Sequence, residues 1–236
     1  LRILVVGSCG KKKRSMIPNA PRCGDLLSRR DFTKWRKRLS MYSSKARDMY
    51  VGSQPRELTS AVDLLRSIKG VQVDYHIVSA GFGLLGENDI VPPYDCSFTG
   101  MRQTELVARA SLLAIEHDFR KACRSPHDFS YFALGSEYMT ALGSSWKDVL
   151  TGKLLTFHPV VAKADVVLLP CSAATVKALS SVGHKIHGVT GYKGDLLRIL
   201  AEYALERSNP SSEILSWINA GVIEALFDRL STKTEC

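Results

Sequence analysis

The sequence predicts a single α/β domain over residues 1–236, a three-layer α/β/α sandwich around a central, mainly parallel four-stranded sheet. Three observations carry this. Four short apolar runs, Arg2–Val6, Val73–Val78, Phe129–Leu134 and Asp165–Leu169, have strand length, and three of them end at a Gly or Pro. Segments with helical apolar spacing lie between them, the pattern of βαβ units. No internal repeat or linker divides the 236 residues, a length at which one domain buries a substantial core.

The elements follow in order. Arg2–Val6 opens as a strand and runs into Gly7-Ser8-Cys9-Gly10 and the run Lys11-Lys12-Lys13. From about 15 to 45 the pattern breaks up: Pro18, Pro21 and Gly24 precede Arg29-Arg30-Asp31-Phe32-Thr33-Lys34-Trp35-Arg36-Lys37-Arg38, which reads as a basic insertion. In Arg56–Ile68 the residues Leu58, Ala61, Val62, Leu64, Leu65 and Ile68 share one helical face. Strand Val73–Val78 then feeds a loop from Ser79 to Asp95. Gly81 and Gly83 open backbone conformations closed to other residues, and Pro92-Pro93 holds the approach to Tyr94 extended. A long helix is expected over Gln103–Cys123. Strand Phe129–Leu134 stops at Gly135-Ser136, where a helix starts at Glu137. Asp165–Leu169 stops at Pro170, and His184–Val189 reads as a further strand candidate. Two amphipathic helices, near Asp195–Glu206 and Ser211–Leu230, close the chain.

Composition is that of a soluble globular protein, with 45% hydrophobic and 23% charged residues. No apolar stretch approaches the ~20 residues of a membrane helix, and Leu1–Val6 is too short for a secretory leader. Cys9, Cys23, Cys96, Cys123, Cys171 and Cys236 are scattered without a Cys-x-x-Cys pair. That argues against a zinc site or a disulfide framework and for a reducing cytoplasm. The close pair His184 and His187 is weighed toward a structural role. Charge is informative: Leu1–Arg47 holds fourteen Lys or Arg against two acids, +12, whereas the rest carries −3. A basic segment of that density suits a polyanion, because each neutralised phosphate releases condensed counterions. Phe32 and Trp35 among the cations suit stacking on bases, or packing on the body beneath a solvated helix.

Three loops leave the carboxyl ends of the strands: Gly7–Lys13, Ser79–Asp95 and Gly135–Tyr138. In a doubly wound sheet they converge on one crevice. The lysine loop lacks the Gly-Lys-Ser/Thr ending of a P-loop and the three-glycine dinucleotide fingerprint, which discounts an ATPase or a dehydrogenase.

Val6-Gly7-Ser8-Cys9-Gly10-Lys11-Lys12-Lys13, Ala46-Arg47-Asp48-Met49-Tyr50 and the Ser79–Asp95 loop together resemble an uncharacterised bacterial family. Its pattern is a Cys-Ser-Lys-Lys-Lys-like start, an Ala-Arg-x-Leu-Tyr element and a Ser-Ala-x-x-Gly-Leu…Pro-Tyr-Asp loop. That family is similar to the peroxide-stress YaaA proteins and to a glycosylase-like domain of archaeal tRNA-modifying enzymes. Through them it resembles the uracil-DNA glycosylase fold. The resemblance covers roughly the first 140 residues, and it departs at Gly10 and in the basic insertion.

The resemblance implies a monofunctional DNA glycosylase that hydrolyses the N-glycosidic bond of a modified or damaged base, with phage defence and a hypermodified phage base as the implied setting. A carboxylate near the anomeric carbon stabilises the oxocarbenium-like transition state and orients a water. Asp95 is the first candidate, with Asp89 and Glu137 behind it; alternatively Asp95 caps a turn or helix. A duplex hides this bond, so the target nucleotide must be extruded. Phe82, Tyr94 and Tyr138 would offer flat surfaces, with Ser8, Cys9, Ser79 and Gly81 close to the base. Lys11, Lys12, Lys13, Arg29, Arg30, Lys34, Arg36, Lys37 and Arg38 would hold the DNA backbone. No metal and no cofactor is called for. Two other classes stay open: a hydrolase of free nucleotides, and a non-catalytic nucleic-acid-binding module.

Overall fold

The computed structural model describes residues 1–15, 17–159 and 165–231, so Met16, the segment 160–164 and the tail that includes Cys236 lie outside the described residues. The architecture is α/β, with a six-stranded, mainly parallel sheet flanked by helices.

Strand β1 (Arg2–Ser8) is followed by the basic helix α1 (Arg29–Arg38), the short strand β2 (Ser44–Lys45), α2 (Ala46–Met49) and α3 (Ser53–Ser67). Strand β3 (Gln72–Ser79) then turns back into β4 (Gly83–Gly86), and β5 (Ile90–Val91) pairs with β2. Next come α4 (Gln103–Leu112), α5 (Ile115–Ala122), β6 (Phe129–Ala133), α6 (Ser136–Leu142), α7 (Trp146–Val149) and β7 (Lys153–Thr156). Strand β8 (Val166–Leu168) and helices α8 (Ala173–Ser181), α9 (Gly188–Leu205), α10 (Pro210–Ser216) and α11 (Ala220–Ser231) complete the described chain.

The strand order is β4-β3-β1-β6-β7-β8, with β4 antiparallel to β3 and the other pairings parallel. The central strands β1 and β6 are buried because both faces of the sheet are covered there, whereas the edge strand β8 leaves Leu168 exposed. Adjacent side chains on a strand point to opposite faces. In β6 the Tyr131 hydroxyl donates to Lys193 O of α9 at 2.7 Å, whereas the Phe132 ring lies 5.8 Å from that of Phe119 in α5. Helix α3 packs on α9 on the first face; α4, α5 and α6 pack together on the second. From β1 the chain moves to β3 on one side, then returns to β6 on the other. The carboxyl ends of β1 and β6 therefore flank the topological switch point, where such sheets bind ligands.

Several expectations are corrected. The sheet has six strands where four were expected, β4 and β7 being the additions. Gly83 at φ +84° reverses the chain into β4, and a Cβ there would lie 2.9 Å from Leu113 O, so the site takes only glycine. The helix expected over Gln103–Cys123 is broken at Ala114, whose φ of 52° is left-handed. His184–Val189 is not a strand, since α9 starts at Gly188. The last helix divides into α10 and α11, with Asn209 capping the former through its side chain. Cys23 and Cys96 form a disulfide, against the expectation from their scattered spacing. The bond ties the basic insertion to the residue that follows the Ser79–Asp95 segment. No helix among the described residues is long and apolar enough to cross a membrane.

Candidate functional site

The segment after β1 builds the first part of the site. Lys13 bridges Tyr50 in antiparallel fashion, flanked by hydrogen bonds from Arg14 N to Met49 O at 2.8 Å and from Val51 N to Lys12 O at 3.1 Å. Extended pairing alternates side chains. Lys12 and Arg14 therefore reach solvent while Lys13 turns inward and is only 4% exposed. Its ammonium donates to Gly10 O at 2.9 Å and lies 4.3 Å from the Tyr94 ring centroid and 5.8 Å from that of Tyr50. Burial pulls the Lys13 pKa below the ordinary lysine value, against the opposing effect of Cys9 and Asp95.

Beneath it is a buried hydroxyl trio. Tyr94 Oη lies 2.7 Å from Ser79 Oγ and 3.0 Å from Tyr50 Oη, and Ser79 Oγ also accepts the amides of Gly81 and Phe82. Burial holds both tyrosines well above the usual phenol pKa, so they act as neutral partners. Gly81 is required because a Cβ would come within 2.6 Å of the Tyr94 ring. Ser79, Gly81, Phe82 and Tyr94, expected near the base, thus support the site from inside. Phe82 is roofed by Phe32, with ring centroids 6.1 Å apart, and by the Arg36 guanidinium at 4.9 Å.

The insertion supplies the opposite wall. Ser28 caps α1 by accepting from Asp31 N. Asp95 N donates to Pro21 O at 2.9 Å. Arg109 of α4 donates to Ala80 O, Cys23 O and Leu26 O at 2.6, 3.0 and 3.2 Å. The result is a cavity of about 610 Å³ whose lining includes Lys11, Lys13, Arg22, Trp35, Tyr94 and Asp95. Asp95 is exposed at its edge. Trp35 is half-buried, its indole N–H held by Asp25 O at 3.1 Å, and it presents an aromatic wall. Arg29, Arg30, Lys34, Lys37 and Arg38 of α1 are exposed beside it.

A second cavity, of about 760 Å³, opens at the switch point between β1 and β6. Ser8, Cys9, Lys12, Glu137 and Tyr138 line it, and Lys11 belongs to both cavities. Cys9 Sγ lies 3.3 Å from the Tyr138 hydroxyl, and Gln54 donates to Ser8 Oγ at 3.0 Å. The structure adds two residues that the sequence does not assign to the site. Lys193 hydrogen-bonds Leu134 O, and burial pulls its pKa down despite Cys171 and Glu137. His187 Nδ1 lies 2.7 Å from the fully buried Asp195 Oδ1. The close pair of histidines gave a sequence signal for His187, but its acidic partner is eight residues away. Glu57, His187 and Asp195 bring their ligand atoms within 4.8 Å of one another. Arg198 pairs with Glu57 at 2.6 Å and with Glu202 at 2.7 Å.

The carboxylates separate. Asp95 faces the first cavity, Glu137 the second, and Asp89 accepts the Gly86 amide at 2.8 Å to close the turn between β4 and β5. The first cavity therefore joins cations, a flat ring and an exposed carboxylate, a set that can hold an anionic ligand with a planar group and stabilise cationic charge beside it. Comparison with known proteins gave no match to a family model and no match among curated sequences.

Proposed function

We propose that this chain hydrolyses the N-glycosidic bond of a modified base in DNA and leaves an abasic site. The observation that carries the reading is the shared cavity: Asp95 lines it together with Lys11 and Lys13, beside the basic helix α1. The transition state of this cleavage has positive charge on the sugar and negative charge on the departing base. The Asp95 carboxylate suits the first and orients a water; the Lys13 ammonium suits the second. Trp35 offers a face for an extruded base, and the exposed cations of α1 suit the flanking phosphates.

Those outward cations favour a polymer over a free nucleotide, which needs no such footprint. Within this proposal the architecture is a variant of the uracil-DNA glycosylase fold, with β4 added at one edge and β7 inserted between β6 and β8. Its setting within the proposal is defence against phage with hypermodified bases; the Cys23–Cys96 disulfide removes the cysteine-spacing argument for a reducing cytoplasm. The test is incubation with DNA carrying modified, damaged and ordinary bases, followed by abasic-site detection. Base release by the wild type and its loss in Asp95→Asn, with DNA binding retained, supports the proposal. Salt-sensitive binding without release from any substrate identifies a binding module instead.

A further inference from the structure

Lys13 is in an unusual position for a lysine. It is 4% exposed, and no carboxylate among the described residues forms a salt bridge with it. Its partners are a carbonyl and two aromatic rings. Buried charges are normally paired, because desolvating an ion costs several kcal/mol. A lysine without such a pair releases its proton readily, which is the condition under which lysines become nucleophiles. Lys13 is also the lysine that lines the cavity holding Asp95 while being shielded from bulk water; Lys11, which shares that cavity, is exposed.

We infer that Lys13 forms an imine with the aldehyde of an abasic sugar, and that the chain then cuts the strand at that sugar by β-elimination. The inference rests on reading the cavity as a nucleoside site and extends that reading to a second reaction. Lys13 gives its ammonium proton to the departing base and becomes a neutral amine. The amine nitrogen attacks C1′ of the ring-opened sugar; a C–N bond forms and water leaves. Asp95, on the same cavity, takes a proton from C2′. The electron pair moves into a C2′–C3′ double bond, and the C3′–O bond breaks with loss of the 3′ phosphate. Water then hydrolyses the imine and restores the amine. No redox partner is needed.

The experiment uses the full chain and an oligonucleotide with one preformed abasic site, so it does not depend on which base is removed. Borohydride reduces the imine to a stable adduct, and peptide mass spectrometry locates the modified amine in the wild-type protein. The expected result is a one-to-one adduct at Lys13 and a strand cut with a β-elimination end. Both are lost in Lys13→Met and Lys13→Arg and kept in Lys69→Ala and Lys177→Ala, two exposed lysines that line neither cavity. An adduct that maps to Lys11, Lys12 or the amino terminus, or no adduct at all, overturns the inference. The two readings fail separately. Base release without a Lys13 adduct leaves hydrolysis standing and removes the imine. A Lys13 adduct on abasic DNA without release of any base keeps the lysine chemistry and removes the hydrolysis.

Discussion

Breaking the Cys23–Cys96 bond should destabilise the protein by a measurable amount. The two cysteines are 73 residues apart in sequence. The chain-entropy relation for a closed loop of that length gives about 15 cal/mol/K, or about 4 kcal/mol at room temperature. Measured effects of native disulfides run about 2–4 kcal/mol. With a urea m-value of about 2 kcal/mol/M, the midpoint should fall by about 1 to 2 M. Cys23→Ser is the better variant, because Cys23 is half-buried whereas Cys96 is buried in the core. Tryptophan fluorescence is a suitable probe, since Trp35 is anchored to Asp25 close to the bond. The disulfide also adjoins Asp95, so base release should fall along with the midpoint. Equal urea midpoints for the oxidised wild type and Cys23→Ser would refute the claim that this bond constrains the chain.

Gly81→Ala forces a Cβ to within 2.6 Å of the Tyr94 ring, and calorimetry should record a loss of about 1–3 kcal/mol, as for other overpacked cores. Replacing Arg29, Arg30, Lys34, Lys37 and Arg38 by Gln should weaken DNA binding, and the slope of log K against log salt should shrink by about 0.9 for each phosphate that is no longer neutralised. An unchanged slope would place the DNA elsewhere. Asp74 gives a pH prediction. Burial alone would raise its pKa, but hydrogen bonds from His127 at 2.8 Å and Arg2 at 2.9 Å outweigh this and hold it below the usual carboxylate range. A lowered native pKa contributes stability that is present above the unfolded value, about 4, and is lost as pH falls through the native one. Urea midpoints should therefore drop below about pH 4, and Asp74→Asn should flatten that limb.

Much of the fold was legible because both faces of the central strands are covered, which writes β1 and β6 as largely apolar runs, while β3 alternates buried Val73, Tyr75 and Ile77 with half-buried Asp74 and His76. The misses have local causes. Strand β7 is the four residues Lys153–Thr156, too short and mixed to show a period. Ala114 breaks the helix with no Gly or Pro to announce it, so packing overrides propensity there. The Ser79–Asp95 segment was readable as constrained, yet the partners of its tyrosine were not. Tyr94 meets Tyr50 across 44 residues. The inward turn of Lys13 was hidden for a similar reason. Three consecutive lysines look alike in sequence, and the bridge to Tyr50 sets the third, Lys13, apart from its two exposed neighbours. Two of the three loops expected in one crevice share a cavity, which Lys13 and Asp95 line, whereas Glu137 of the third loop lines the second cavity and Asp89 closes a turn.

Arg109 has a mechanical consequence. One guanidinium grips the carbonyls of Ala80, Cys23 and Leu26, so α4 clamps two segments that are far apart in sequence. Opening the insertion strands a buried cation, and that cost is shared by every piece the clamp holds. The amides of these segments should accordingly exchange with solvent as one cooperative group, at a free energy well above that of a fraying surface loop.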